Sequence, residues 1–113
     1  MHTTPLTPAV FHILLALAEG DRHGYGIQQD VLRHTDGRLR MGPGTLYGTI
    51  QRLLDLGWIE ESPKPIRKPE DERRRYYRLT RAGRRALDGE VTRMDELVRT
   101  ARARGAAPRP ARS

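Results

Sequence analysis

Residues 42–55 place hydrogen-bonding groups along one side of what their spacing predicts to be a helix. Thr45, Thr49, Gln51 and Arg52 fall opposite an apolar stripe of Leu46, Ile50, Leu53 and Leu54, spaced i, i+4, i+7, i+8. Gln pairs with adenine and Arg with guanine in the major groove, so this row has the chemistry of base reading. Gly42, Gly44 and Thr45 stand at the helix start, where free N–H groups and the positive dipole end favour a phosphate. Gly48 sits mid-helix at a cost of about 1 kcal/mol relative to Ala, which implies packing or a close approach. Tyr47 either donates its hydroxyl to a phosphate or covers the core edge, and DNA contact is the reading adopted.

A second cluster, Lys64, Arg67, Lys68, Arg73, Arg74 and Arg75, is a run of cations interrupted by Glu70, Asp71 and Glu72. A solvated loop with internal ion pairs would account for it at little energetic gain. Flanking cations on a long hairpin nevertheless suit phosphate or minor-groove contact. The net charge of +7 and pI near 10.7 point to a polyanionic partner, and the clustering of Arg and Lys in 64–78 and 99–112 favours a footprint over general solubility.

Other chemistry is poorly supplied. The chain contains no nucleophile elbow, no Walker loop and no carboxylate pair in a predicted cleft, so no enzyme activity and no cofactor are expected. It has no cysteine, and His2, His12, His23 and His34 lack metal-ligand spacing, so no metal is expected. His23 and Tyr25 read as braces at a turn and a helix start. The N-terminus lacks a signal-peptide pattern and the apolar run from Val10 to Ala18 is too short to span a bilayer. A soluble, cytoplasmic protein without membrane partners is the expectation.

The elements that must hold these groups follow from caps and periodicity. Thr7-Pro8 opens a helix that is apolar on nearly all sides and ends at Gly20, and Asp21–Gly24 reads as a turn. Ile27, Val31 and Leu32 recur helically from Tyr25 to His34, with Gln28, Gln29, Asp30 and Arg33 facing water. Gly42-Pro43 opens the third helix and Gly57 stops it. Trp58–Ser62 and Arg74–Thr80 read as strands around a proline-rich loop. From Thr80 a last helix runs to about Arg104, with Leu87, Val91, Met94, Val98 and Ala101 spaced 4, 3, 4, 3 as a short heptad seam. A second chain is the natural cover for that seam.

His23-Gly-Tyr-Gly-Ile27, Gly44-Thr-Leu-Tyr47, Arg52-Leu-Leu-Asp-Leu-Gly-Trp-Ile59 and Arg75-Tyr-Tyr-Arg-Leu-Thr80 with Gly83 resemble the PadR family of bacterial transcriptional regulators. The likeness covers roughly residues 6 to 90, in the family's order, and is to the short-tailed type with one C-terminal helix. It implies a mainly α fold with a small β-hairpin, a winged helix-turn-helix plus a C-terminal dimerisation helix. The expected division is 1–80 as the DNA-binding domain, 81–104 as the dimerisation helix and 105–113 as a disordered basic tail.

The expected function is a homodimeric repressor on double-stranded DNA, reading an inverted-repeat operator and released by a small-molecule effector. Gly44, Thr45, Tyr47, Gly48, Thr49, Gln51 and Arg52 would form the reading helix, with the cations from Lys64 to Arg75 on the wing. Phe11, Leu14, Leu87, Val91, Met94, Val98 and Ala101 would form the dimer contact. Met94, Leu97 and Val98 would line any effector pocket, although this helix has no aromatic to grip a flat ligand. Two other readings fit the residues: a non-specific basic accessory protein on DNA, or a winged dimerisation module that holds another protein.

Overall fold

The computed structural model describes residues 5–63 and 74–106. In chain order these form α1 (Pro8–Leu17), β1 (Arg22–His23), α2 (Gly24–His34), α3 (Pro43–Leu56), β2 (Ile59–Ser62), β3 (Tyr76–Leu79) and α4 (Arg81–Ala103). The fold is mainly helical, with one small antiparallel sheet in the order β1-β3-β2.

Thr7 caps α1 by accepting the Val10 N–H at 3.3 Å, and Pro8 takes the first helical position. Val10, Ile13, Leu14, Ala16 and Leu17 are buried and Phe11, Leu15 and Ala18 half-buried, so the all-round apolar helix becomes the centre of the core. Its carbonyl end is closed by two cations, Arg22 Nε donating to Ala16 O at 2.8 Å and Arg84 to Ala18 O at 3.2 Å.

Residues 21–24 do not form the plain turn that the sequence predicts. Arg22 and His23 pair with Tyr77 and Tyr76 as a third strand. Two residues carry no readable alternation; β3 supplies the backbone partners that make them a strand. His23 then caps α2, its Nδ1 accepting the Gly26 N–H at 3.0 Å, as its bracing role required. Asp30 and Gln28, expected in water, are half-buried. Gln28 donates to Met41 O at 2.7 Å, while Asp30 meets Arg22, Arg33 and His34.

The β2–β3 register pairs Ile59 with Leu79 and Glu60 with Arg78, and Arg78 Nε reaches Glu60 at 2.7 Å. Tyr77 faces the core and Arg78 solvent, as the two-residue period of a strand requires. Thr80 joins this sheet to α4: its hydroxyl donates to Gly57 O at 2.6 Å and accepts the Gly83 N–H at 3.1 Å.

Only the first turns of α4 are packed, through Gly83, Leu87 and Glu90. Its 23 residues, about 35 Å of helix, carry it beyond the body and account for the long axis of 53 Å. Two residues assigned to the dimer contact lie inside the chain instead. Leu14 is 0% exposed and Leu87 3%, both inside the chain's own core, because α1 and the start of α4 pack on each other.

Glu90 ties the N-terminal segment to α4. Its carboxylate accepts two hydrogen bonds from Arg93 at 2.8 Å each and one from the Leu6 N–H at 3.2 Å. The Arg93 bonds hold its pKa below the ordinary carboxylate value, burial opposing and the Leu6 bond assisting. A carboxyl depressed in this way contributes stability above its unfolded value near 4.5, lost as pH falls through the lower folded value. Glu90→Gln should therefore lower the urea midpoint at neutral pH and flatten the acid limb of the stability curve. An unchanged acid limb would refute the assignment.

Candidate nucleic-acid interface

α3 buries Leu46, Ile50 and Leu53 and turns its other side outward. Gly44, Thr45, Tyr47, Gly48, Gln51 and Arg52 are exposed and Thr49 is half-buried, so the residues assigned to DNA contact share one solvent-facing side. Their groups are not equally available. Thr49 Oγ1 donates back to Thr45 O at 2.6 Å, leaving only its lone pairs outward. Gln51 Nε2 already donates one of its two hydrogens to Asp55 at 3.0 Å. A Cβ added at Gly44 or Gly48 meets nothing within 4 Å, so nothing inside the described chain requires either glycine.

Tyr47 is 51% exposed and leans over the start of α2. A Cβ at Gly24 would lie 2.7 Å from the Tyr47 hydroxyl, so the ring keeps this position only over glycine. Around it opens a cleft of about 380 Å³ lined by His23, Gly24, Tyr25, Tyr47, Arg74, Arg75 and Tyr77. Tyr25 is 58% exposed here, a surface position that its reading as a brace did not anticipate. The motif His23–Ile27 marked this segment, but spacing alone does not show that β1 carries it beside α3 and the base of the hairpin. Arg74 Nη1 lies 3.0 Å from His23 Nε2, and Arg75 is exposed. Burial raises the Tyr77 phenol pKa, with Arg75 pulling it down, so the cleft floor is a neutral hydroxyl beside a cation at neutral pH.

Of the hairpin cations, Arg74 and Arg75 are thus placed at the cleft. Lys64, Arg67, Lys68 and Arg73 lie outside the described residues, as does most of the 105–113 tail. On α4, Val91, Met94, Leu97 and Val98 are 38–54% exposed. Phe11 and Ala101 are half-buried and still present surface. Among the described residues no group of three or more His, Cys, Asp or Glu could hold a metal ion, and no helix is long and apolar enough to cross a membrane.

The profile of the transcriptional regulator PadR-like family matches residues 13–89. Transcriptional regulator Rv3488 of Mycobacterium tuberculosis is 36% identical over 88 residues, spanning 78% of this chain and 77% of that protein. A solved transcriptional regulator from Clostridium thermocellum superposes with a TM-score of 0.61 at 27% identity, covering 88% of this chain and 92% of that one. A PadR family regulator from Clostridium difficile R20291 gives a TM-score of 0.70 at 19% identity over 86% and 97% of the two chains, a likeness of fold alone.

Proposed function

Because the chain belongs to the PadR-like family of transcriptional regulators, DNA-binding proteins rather than enzymes, we propose that it is a homodimeric repressor that reads an inverted-repeat operator with α3. One observation carries this reading: α3 offers a polar outer side with glycines at positions where the chain itself has empty space. A mid-helix glycine costs about 1 kcal/mol relative to Ala, and close approach to a duplex supplies the reason for it. In this reading Arg52, which makes no hydrogen bond or ion pair with the described residues, reaches a guanine edge. Tyr25, Tyr47 and Arg75 hold a backbone phosphate at the cleft, and the remaining wing cations follow the flanking backbone.

Residues 1–80 then form the reader, 81–104 the pairing helix and 105–113 a basic tail. A second copy covers Val91, Met94 and Val98, setting the half-site centres about one or two helical turns apart. Met94, Leu97 and Val98 would line the pocket of a small apolar effector that releases the DNA.

Selection of bound sequences from random duplexes should return an inverted repeat, with affinity falling steeply as salt rises. On that repeat Arg52→Ala should cost about 1–3 kcal/mol. Gln51→Ala should cost less, because its amide already has a partner in Asp55. Neither should matter on scrambled duplex. A uniform loss on every sequence would instead mean a non-specific accessory role, and negligible DNA affinity at moderate salt would mean a protein-binding module.

A further inference from the structure

His12 and His34 lie outside the reading surface, on the side of the helix-turn-helix unit that faces α1. His12 Nδ1 and His34 Nε2 are 3.2 Å apart, the rings 28° from parallel. The other nitrogen of His34, Nδ1, is 3.3 Å from Asp30 Oδ2. Asp30 also meets Arg33 at 2.7 Å and Arg22 at 3.4 Å, and its side chain is only 16% exposed. A cavity of about 350 Å³ opens beside the pair, and the charged groups lining it are Asp36 and Arg38, of opposite sign.

We propose that His12 and His34 form a proton-sharing latch that fixes α2 and the turn after it against α1, and that a second proton opens the latch and weakens operator binding in mild acid. The proton count requires this behaviour. With both rings neutral, His34 donates from Nδ1 to Asp30 and accepts at Nε2 from His12 Nδ1–H. With one added proton, His34 donates from both nitrogens and His12 accepts. With two, both facing nitrogens carry hydrogen, the contact has no acceptor, and two cations stand against each other.

The second proton is unfavourable in the closed form: burial, and then the charge of His34, lower the His12 pKa below the ordinary imidazole value of 6.5. The unfolded or opened chain therefore binds protons more readily, and stability falls as pH drops from about 6.5 towards the lowered value. His34 is the last residue of α2, and only eight residues separate it from the start of α3. Release of this contact frees the angle between the reading helix and the core.

The expected sign is unusual. Protonation adds positive charge, which by itself tightens binding to DNA; the latch predicts the reverse. The inference rests on the operator reading above, so the test has two arms. On the selected duplex at fixed salt, the Kd of the intact protein should weaken severalfold between about pH 7.5 and 5.5, the direction set by the lowered His12 pKa. His12→Phe keeps a ring against His34 without a titrating group, and its Kd should stay level or tighten across that range. Separately, NMR titration of the imidazoles without DNA should show His12 titrating in steps coupled to the ring it faces, a coupling that His12→Phe removes. Single independent titrations at both rings would overturn the latch whether or not DNA is bound. Identical pH profiles of Kd in native and His12→Phe protein would overturn its role in reading. If no duplex is selected but the coupled steps appear, the operator reading fails and the latch stands.

Discussion

Replacing Gly83 with alanine should destabilise the chain by about 3 kcal/mol or more, enough to leave much of it unfolded. Gly83 lies in the first turn of α4, where that turn packs on the Trp58 backbone between α3 and β2. A Cβ there would overlap the carbonyl oxygen of Trp58, lie 2.8 Å from its carbonyl carbon and press on Leu79 Cδ2 at 3.2 Å. Two of those three atoms are backbone, held in place because Trp58 O accepts the Thr80 N–H at 3.1 Å. Relief would require breaking the Thr80 cap or displacing β2, so rotamer adjustment offers no escape. Gly89→Ala, in the same helix, is the control. A Cβ there meets nothing within 4 Å, and the exchange should stabilise by about 0.5–1 kcal/mol. Urea unfolding of both variants decides the matter: equal midpoints would remove the close approach from the argument.

Met94→Asp should leave the fold intact and abolish pairing. Met94 is 38% exposed, flanked by Val91 and Val98 at 47% and 41%. Its replacement therefore removes little from the monomer's core. In a dimer the same position would bury a carboxylate without a partner, a cost of several kcal/mol that weakens association on the order of a thousandfold. Operator affinity should fall with it, since one reader makes half the contacts, while the circular dichroism melt of dilute protein stays near that of the native chain. Val91→Asp should behave alike and Met94→Leu should retain the dimer. Sedimentation that finds either acidic variant fully dimeric would refute pairing through α4.

Much of the fold was legible because its signals are local. Thr7-Pro8, Gly57 and Thr80 mark helix ends by chemistry that acts over three or four residues, and each acts where the sequence places it. The stripe of Leu46, Ile50 and Leu53 likewise reports which side of α3 is buried, and so which side is left for a ligand. β1 was not legible, because a two-residue strand has no period and exists only through its partner Tyr76–Tyr77. Leu87 shows the limit of the seam argument. Heptad spacing identifies an apolar row, but only packing says that the row's first turn is covered by α1 and the rest is open.

The sequence alone determined the kind of molecule: the motifs from His23 to Gly83 identify its family, and the charge and polar row indicate a polyanion as its ligand. These properties depend on residue type and on spacing within one element. Tertiary structure decided everything that depends on residues far apart in the chain. It set Tyr47 over Gly24, brought Arg74 to His23, closed Glu90 onto Leu6 and paired His12 with His34. Distances of this kind are fixed when helices and strands pack, and a one-dimensional pattern does not encode them until the core has chosen which faces meet.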